Sequence, residues 1–236
     1  MAVSTSLSSA RRAGAYLLVA AVVLAAAAVS RLVASEADDA ASQALIERIA
    51  TAHRAVLGVQ GHAHWRTRHT DEPAAAGSLQ EVQFALLFPD CYRLVLSKPG
   101  DLDSRTVWRS DGVTLEKLDY QFRDAPPDRK LTPVNHNDRE FARLLACFRL
   151  DLPVLGQDFT VHAAVVPTGA VLTLAPVRAE IAENVTTLTI QLDAAFHITQ
   201  LAWSDPQGNH VEVTIDKADW DTPPDPAVFH VGPPAP

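Results

Sequence analysis

From residue 58 onward, much of the chain alternates apolar and polar residues with a period of two, the pattern of strands with one buried face. In 185–193, for example, apolar residues alternate with threonines and a glutamine. The segment 104–119 predicts a hairpin that turns at Asp111 and Gly112, a residue pair that favours tight turns. Strands are therefore predicted at 58–69, 77–89, 91–99, 158–166, 170–176, 185–193, 197–204 and 209–217, with a short last strand within 220–234.

Two segments, 39–57 and 137–150, instead space their apolar residues as amphipathic helices do. His53 lies at the edge of the first apolar stripe, where packing is a commoner role than ligation. The Pro-rich, charged segment 120–136 between the two sets of strands is predicted to be a loop. Two helices that cover the concave side of one curved antiparallel sheet bury both stripes and all the strands, so the predicted class is mainly β (α+β). The residues expected to form this lid are Ile46, Ile49, Phe141 and Leu145.

The segment GVQGHAHWRTRH is rich in histidine and arginine, which raises the question of a metal site. As a strand, it places His62 and His64 on one face, together with two arginines, and Trp65 on the other. Guanidinium groups repel a divalent cation, and the strand offers no carboxylate as a further ligand. We therefore predict a strand with a cationic face in water, with Trp65 toward the concave side and no metal.

The overall charge narrows the choice of partners. The chain has 236 residues, a net charge of −8 and an isoelectric point near 5.5. Nucleic-acid-binding proteins usually show a basic face and a high isoelectric point, so no nucleic acid is expected as a partner. An acidic protein surface is also not attracted to anionic lipid headgroups.

The N-terminal residues 1–35 have the composition of an export signal. Two arginines precede an uncharged, mostly apolar run at 13–29, which is at the short limit for a membrane span. Cleavage after Ser35 and retention as an inner-membrane anchor both remain open. In either case the rest of the chain, 36–236, is expected to be one exported, periplasmic domain.

The two cysteines, Cys91 and Cys147, allow two interpretations. In an oxidising compartment they can form a disulfide. Alternatively they are two separately buried thiols. Sequence alone does not show whether their β-carbons approach each other.

Catalytic motifs are missing from the sequence. It contains no G-x-S-x-G elbow, no Gly-rich phosphate loop and no H-E-x-x-H pair. Asp101 and Asp103 fall in a predicted loop and are interpreted as solvated side chains rather than cation ligands. The chain is therefore predicted to be a non-enzyme that needs no cofactor. The remaining enzymatic hypothesis is a hydrolase that uses His and Asp residues near strand ends.

Four features follow one another along the chain. A strand, a proline, a short turn and an Arg-containing strand occur in FALLFPDCYRLVL, and an Asp-Gly hairpin occurs in SDGVTLEKLD. A run of strands with a proline after the first and a Gly-Asn hairpin occurs in LTLAPVRAEIAENVTTLTIQLDAAFHITQLAWSDPQGNHVEVTI. A closing Phe strand and a double proline occur in DPAVFHVGPP. In this order, over about residues 40–234, they resemble the periplasmic lipoprotein-carrier (LolA-type) family and its wider superfamily.

That resemblance implies an unclosed half-barrel of about 10–11 antiparallel strands, with helices as a lid over an apolar cavity. It implies a carrier of lipoprotein acyl chains, with an inner-membrane release complex and an outer-membrane acceptor as candidate partners, acting as a monomer. One departure stands out. The carriers proper place an arginine, in a position tied to lid closure, where this chain has Phe88 before Pro89. The departure indicates a paralogue or distant relative.

An acyl-chain carrier needs an apolar cavity and no catalytic residue. The alternative for each apolar position is ordinary core. The residues expected to line the cavity are Val82, Phe84, Leu86, Phe88, Leu94, Leu96, Trp108, Leu188, Ile190, Leu201 and Trp203.

Two functions lead from these observations. The first is an exported lipid- or lipoprotein-binding carrier or chaperone. The second is a membrane-anchored envelope sensor on the same fold, which binds a protein or a mislocalised lipoprotein. An uncleaved anchor favours the second, because a shuttling carrier must diffuse.

Overall fold

The computed structural model describes residues 38–70, 77–134 and 145–232. By its contacts the chain divides into a short unit, Met1–Ala44, and a main unit, Leu45–Pro236. All contacts below belong to the main unit. The predicted signal segment 1–35, with its domain boundary, lies outside the described residues, and so does Phe141 of the predicted lid.

The main unit is built on one 11-stranded sheet in which every neighbouring pair is antiparallel. The strand order is β6-β5-β4-β3-β2-β1-β11-β10-β9-β8-β7, so β6 and β7 are unpaired edges and the sheet is not closed. The predicted unclosed half-barrel is confirmed. The strands are β1 (Gly58–Arg68), β2 (Ser78–Leu87), β3 (Cys91–Lys98), β4 (Asp101–Asp111), β5 (Thr114–Tyr120), β6 (Asp128–Pro133), β7 (Phe159–Val166), β8 (Gly169–Pro176), β9 (Thr187–Leu192), β10 (Ile198–Ser204) and β11 (His210–Asp219).

Helices occupy the ends and the connections of this sheet. The entry helix α1 spans 38–53, and the described part of the second helix, α2, spans 145–149. Two short helices were not predicted, α3 (Leu152–Asp158) and α4 (Ala179–Ala182), and a 3₁₀ helix η1 spans Pro226–Phe229. Among the residues described, no helix is both long enough and apolar enough to cross a membrane.

Several predicted boundaries were wrong. Asp101 and Asp103, predicted in a loop, belong to β4, and the first helix ends at residue 53 rather than at 57. The segment 120–136, predicted as a loop, contains the edge strand β6, whose residues are all exposed and therefore show no alternation. The predicted last strand in 220–234 is the 3₁₀ helix η1, because the Asp225 side chain caps the turn by accepting from the Ala227 N–H. Asp111 ends β4 and caps the hairpin turn rather than forming its centre.

The core lies on the face of the sheet against which α1 and α2 pack, which we call the inner face. Register places Phe84, Leu94 and Trp108 side by side on this face. Leu145 and Phe148 of α2 belong to the same buried cluster as the strand residues. The chain from β6 to β7 must pass from one sheet edge to the other, and α2 lies on this path across the inner face.

The pairing of β1 with β11 joins the two halves of the sheet. The register shifts between His62 and Ala63, where β1 contains an irregularity next to a glycine, Gly61. A β-carbon at Gly61 would overlap the Lys217 carbonyl oxygen and lie 2.9 Å from the Ala218 Cα. Both atoms are backbone, so the strands can approach only because residue 61 has no side chain.

We expect Gly61→Ala to destabilise the fold by about 1–3 kcal/mol, because the β1–β11 backbones must move apart. The matched control is Gly156→Ala in α3, where an added β-carbon meets nothing within 4 Å. In the control, alanine should be neutral or stabilising by about 0.5–1 kcal/mol, since glycine disfavours helix. Urea denaturation of both variants measures the difference, and equal unfolding free energies would contradict the account of this close approach.

Candidate functional site

The predicted cavity residues all lie in one cluster on the inner face, together with the described lid residues. Ile49 and Leu145 are buried, and Ile46 is partly buried against them. The cluster contains two classes of predicted lining residue. The buried ones, exposed by only 0–7%, are Val82, Phe84, Leu86, Leu188, Ile190 and Leu201. The partly exposed ones are Phe88, Leu94, Leu96, Trp108 and Trp203.

Helix α2 covers the middle of the inner face. The rings of Phe148 in α2 and Phe84 in β2 are 5.8 Å apart and tilted by 41°. The helix ends at Leu150, whose φ of 50° lies in the left-handed region, and the Asp151 N–H donates to the Ala146 carbonyl at 2.9 Å. This turn connects α2 to α3, whose Leu152 and Leu155 are buried in the same cluster.

Partly exposed tryptophans mark one end of the apolar surface. The rings of Trp65 in β1 and Trp203 in β10 meet edge to face with centroids 5.6 Å apart. The Trp65 Nε1–H donates to the Thr67 hydroxyl at 3.1 Å, so its polar atom is satisfied. As predicted, Trp65 lies on the inner side of β1, while His62 on the other side is exposed. Here the inner face presents aromatic surface that is only half covered.

Toward β6 the inner face becomes polar. A cleft of about 400 Å³ opens there, and Trp108 is the only predicted residue in its lining. Lys117 Nζ lies 2.7 Å from an Asp119 carboxylate oxygen, and this hydrogen bond, against the effect of burial, lowers the pKa of Asp119. The alternation in TLEKLDY already places Leu115, Lys117 and Asp119 on one face. The cleft is lined by Trp108, Leu115, Lys117, Asp119, Asp128, Arg129, Lys130 and Thr132.

Helix α1 is fastened over the sheet by His53. This side chain is 4% exposed, and its Nε2 lies 2.7 Å from the Phe196 carbonyl oxygen in the β9–β10 turn. Its ring also meets the Trp220 ring edge to face, with centroids 5.7 Å apart. Because a carbonyl can only accept, Nε2 carries the proton and Nδ1 is the bare nitrogen. Nδ1 is buried without a hydrogen-bond partner among the described residues.

The surroundings of His53 disfavour its charged form. Burial is the largest effect and lowers the pKa of His53 below its ordinary value of 6.5. The bond to Phe196 and the charge of Asp193 oppose the shift, while His197 adds to it. Protonation would place a second N–H where the described residues provide no acceptor. The contact that fastens α1 is therefore made by the neutral ring.

The histidine-arginine strand forms no metal site in the described part of the chain. His64 Nδ1 pairs with an Asp216 carboxylate oxygen at 2.7 Å, and both side chains are exposed. No group of three potential metal ligands occurs among the residues described.

Cys91 and Cys147 are not bonded to each other in the structure, and Cys147 is buried whereas Cys91 is only partly buried. Cys91 starts β3 opposite Asp111, and Cys147 is buried in α2. Burial, followed by the charges of Asp111 and Asp90, raises the pKa of the Cys91 thiol. This environment disfavours the reactive thiolate.

No family model and no curated protein matches the chain. Among solved structures, MucB is 15% identical over 82% of this chain and 63% of its own, with a TM-score of 0.43. The lipoprotein LppX of Mycobacterium tuberculosis is 14% identical over 79% of this chain and 98% of its own, with a TM-score of 0.43. A LolA superfamily protein from Nitrosomonas europaea is 11% identical over 80% of this chain and 97% of its own, with a TM-score of 0.37.

These structures include the superfamily that the sequence resemblance named. The chain spans less than two thirds of the length of MucB. Identities and TM-scores this low establish no shared activity, whereas this chain's own strands and contacts establish its fold and its inner face.

We expect acidification to weaken the fold through His53. Since the pKa of His53 is lower in the folded chain, the unfolded chain takes up this proton first as the pH falls below about 6.5. The free energy of unfolding should therefore decrease between pH 7.5 and pH 5, and His53→Gln should show a smaller decrease. Urea denaturation at both pH values measures this dependence.

The control for this prediction is His62→Gln, which replaces an exposed histidine of β1 and should keep the pH dependence of the parent chain. An equal decrease in stability for the parent chain and for His53→Gln would show that His53 does not cause it.

Proposed function

We propose that this chain is a non-catalytic, exported carrier that binds the acyl chains of a lipid or lipoprotein on the inner face of its sheet. The observation that carries the proposal is the apolar inner face, which continues across both halves of the sheet and is covered by helices rather than by a second sheet. Support also comes from its polar end, where Trp108 lies next to Lys117 and Asp119. An amphiphile needs both kinds of surface.

The affinity would come from apolar burial. Each methylene removed from water contributes about 0.8 kcal/mol before ordering costs. The half-covered surfaces of Leu94, Leu96 and Trp203 are where a chain would first insert. For the acyl chain to insert more deeply, α1 or α2 must move away from the buried part of the cluster. The contact of His53 with Phe196 would then set how readily α1 moves.

The remaining parts of the proposal concern location and partners. We place residues 36–236 in the periplasm as a single domain and a monomer, after export directed by 1–35. Residues 13–29 would tether it only if that segment is retained. A release complex at the inner membrane and an acceptor at the outer membrane would be its delivery partners.

A second candidate is an envelope sensor on the same fold, which binds a protein partner rather than an acyl chain. It is favoured by the close packing of the buried lining residues, which are exposed by only 0–7%. If the helices never leave this part of the inner face, no deep acyl site opens. The two candidates therefore differ in whether an acyl chain displaces the lid.

We expect Leu94→Gln to weaken binding of a fluorescent fatty acid by about 10- to 100-fold, because a leucine that becomes buried under the bound acyl chain contributes about 1.5–3 kcal/mol. The full-length chain is titrated with the probe, and probe fluorescence reports binding. The matched control is Leu131→Gln, the same change at a half-exposed leucine on the edge strand β6.

The control should bind the probe as the parent chain does. Absence of saturable binding by the parent chain would refute the carrier and favour the protein-binding sensor. Equal weakening in both variants would show that the probe does not bind at the inner face.

A further inference from the structure

The opposite, outer face of the sheet carries a group of arginines that the sequence analysis did not single out. Antiparallel register places Arg93 beside Arg109 on the outer side of β3 and β4, and Arg109 beside Glu116 on β5. Arg129 lies one outward-facing row further along on the same side, and Arg105 lies two such rows along. We call Arg93, Arg105, Arg109 and Arg129 the outer arginine cluster.

One buried carboxylate organises this cluster. The Glu116 side chain is 2% exposed, and it accepts from the Arg109 Nε at 2.8 Å and from the Arg129 Nε at 2.7 Å. The Arg109 and Arg129 side chains remain 26% and 25% exposed. Their guanidinium groups are therefore held in fixed positions and still reach solvent.

Arg93 has no such partner. It is partly buried, and within the described residues it forms no ion pair with a carboxylate. Burial, then the charge of Arg109, lower the pKa of Arg93, with Arg105 acting in the same direction. A guanidinium group that lies beside another one and forms no ion pair with an acid among the described residues is an uncompensated charge in a place of reduced solvent contact.

The nearest acids do not compensate it. Asp111 lies on the same side of β4 but its carboxylate accepts from the Val113 and Thr114 N–H groups of the hairpin turn. Arg105 lies over the Tyr120 ring, 4.3 Å from its centroid. Arg93, Arg109 and Arg129 outnumber Glu116 and Asp111 on this side, which leaves an excess of positive charge in one patch of a chain whose net charge is −8.

Packing of η1 on the outer face supports the patch and bounds it on one side. Val95 and Val107 are buried on the outer face where η1 lies against β3 and β4, and Phe229 of η1 is buried there as well. The Arg129 Nη2 donates to the Gly232 carbonyl oxygen, which fixes the segment after η1 beside the cluster.

We propose that the outer arginine cluster is a binding site for a phosphoryl group, with Arg93 as the central ligand. Guanidinium groups bind phosphate through paired N–H donors, and a dianion matches the local excess of charge. The phosphoryl group can come from free phosphate or from the headgroup of an anionic lipid. Arg93 is on the other side of the sheet from the proposed acyl site, and within the cluster Arg129 alone also lines the cleft at β6, so Arg93 tests this proposal separately.

The experiment measures binding of inorganic phosphate to the full-length chain by calorimetry at low salt. Binding to phosphatidylglycerol vesicles, with phosphatidylcholine vesicles as the neutral reference, is measured by flotation. The variants are Arg93→Gln and Arg93→Lys. The matched control is Arg66→Gln, which removes the same charge from an exposed position of β1 on the same face.

We expect Arg93→Gln to weaken phosphate binding by at least about tenfold, the effect of losing one charge-assisted pair. The phosphate affinity of Arg93→Lys should be intermediate, because lysine keeps the positive charge but lacks the paired N–H donors of a guanidinium group. Arg66→Gln should bind phosphate as the parent chain does. If Arg93→Gln fails to fold, the phosphate affinity of Arg93→Lys tests the proposal instead. Phosphate binding without vesicle binding assigns a free anion, and Arg93-dependent binding to anionic vesicles assigns a lipid headgroup.

Two results would overturn the proposal. One is that the parent chain binds neither inorganic phosphate nor anionic vesicles. The other is that Arg66→Gln weakens binding as much as Arg93→Gln does, which would reflect general charge rather than this site.

Discussion

The antiparallel pairing of β1 with β11 is the constraint on which the rest of the structure depends. Strands β2–β6 and β7–β10 form two meanders that pair only with their neighbours in sequence, and β1–β11 is the contact that joins them into one sheet. It also aligns the two chain segments outside those strands. Because Gln60 pairs with Asp219, α1 and Trp220 leave the sheet at the same end, and His53 and Trp220 meet there.

The two faces of this sheet then acquire different chemistry. The inner face receives the helices and concentrates apolar side chains, with aromatic residues and a charged cleft where the cover is incomplete. The outer face is exposed to solvent except where η1 covers β3 and β4. There the buried Glu116 carboxylate binds Arg109 and Arg129 beside Arg93, which forms no ion pair among the described residues. Strand alternation alone separates these two surfaces, since Arg93 and Leu94 are adjacent in sequence but point in opposite directions.

Much of this organisation could be predicted from the sequence. The alternating strands and the unclosed sheet follow from a period-two pattern, because half-buried antiparallel strands must alternate. The edge strand β6 was missed because both its faces are exposed, which leaves no pattern to detect. The helices α3 and α4 were missed because 7 and 4 residues are too few to show helical spacing.

Long-range contacts explain the other omissions. The importance of His53 depends on Phe196, 143 residues away, and no local pattern links the two. The net charge of −8 suggested an acidic surface throughout, whereas register gathers four arginines from the three strands β3, β4 and β6 into one patch. The net charge of the whole chain does not show such a local excess. The strand pattern shows part of it, because Arg93 is two residues from Val95 and Arg109 is two residues from Val107, so each arginine shares a face with its valine.

The central claim is that the inner face binds acyl chains. The most direct measurement is native mass spectrometry of the full-length chain, with organic extraction of whatever remains bound and with an added fatty acid as the ligand. The account predicts an adduct with one bound lipid or acylated molecule per protein. The abundance of this adduct should fall in Leu94→Gln and stay unchanged in Leu131→Gln. A mass equal to that of the protein alone, unchanged by the added fatty acid, would contradict the account, because an inner face that never opens cannot carry an acyl chain.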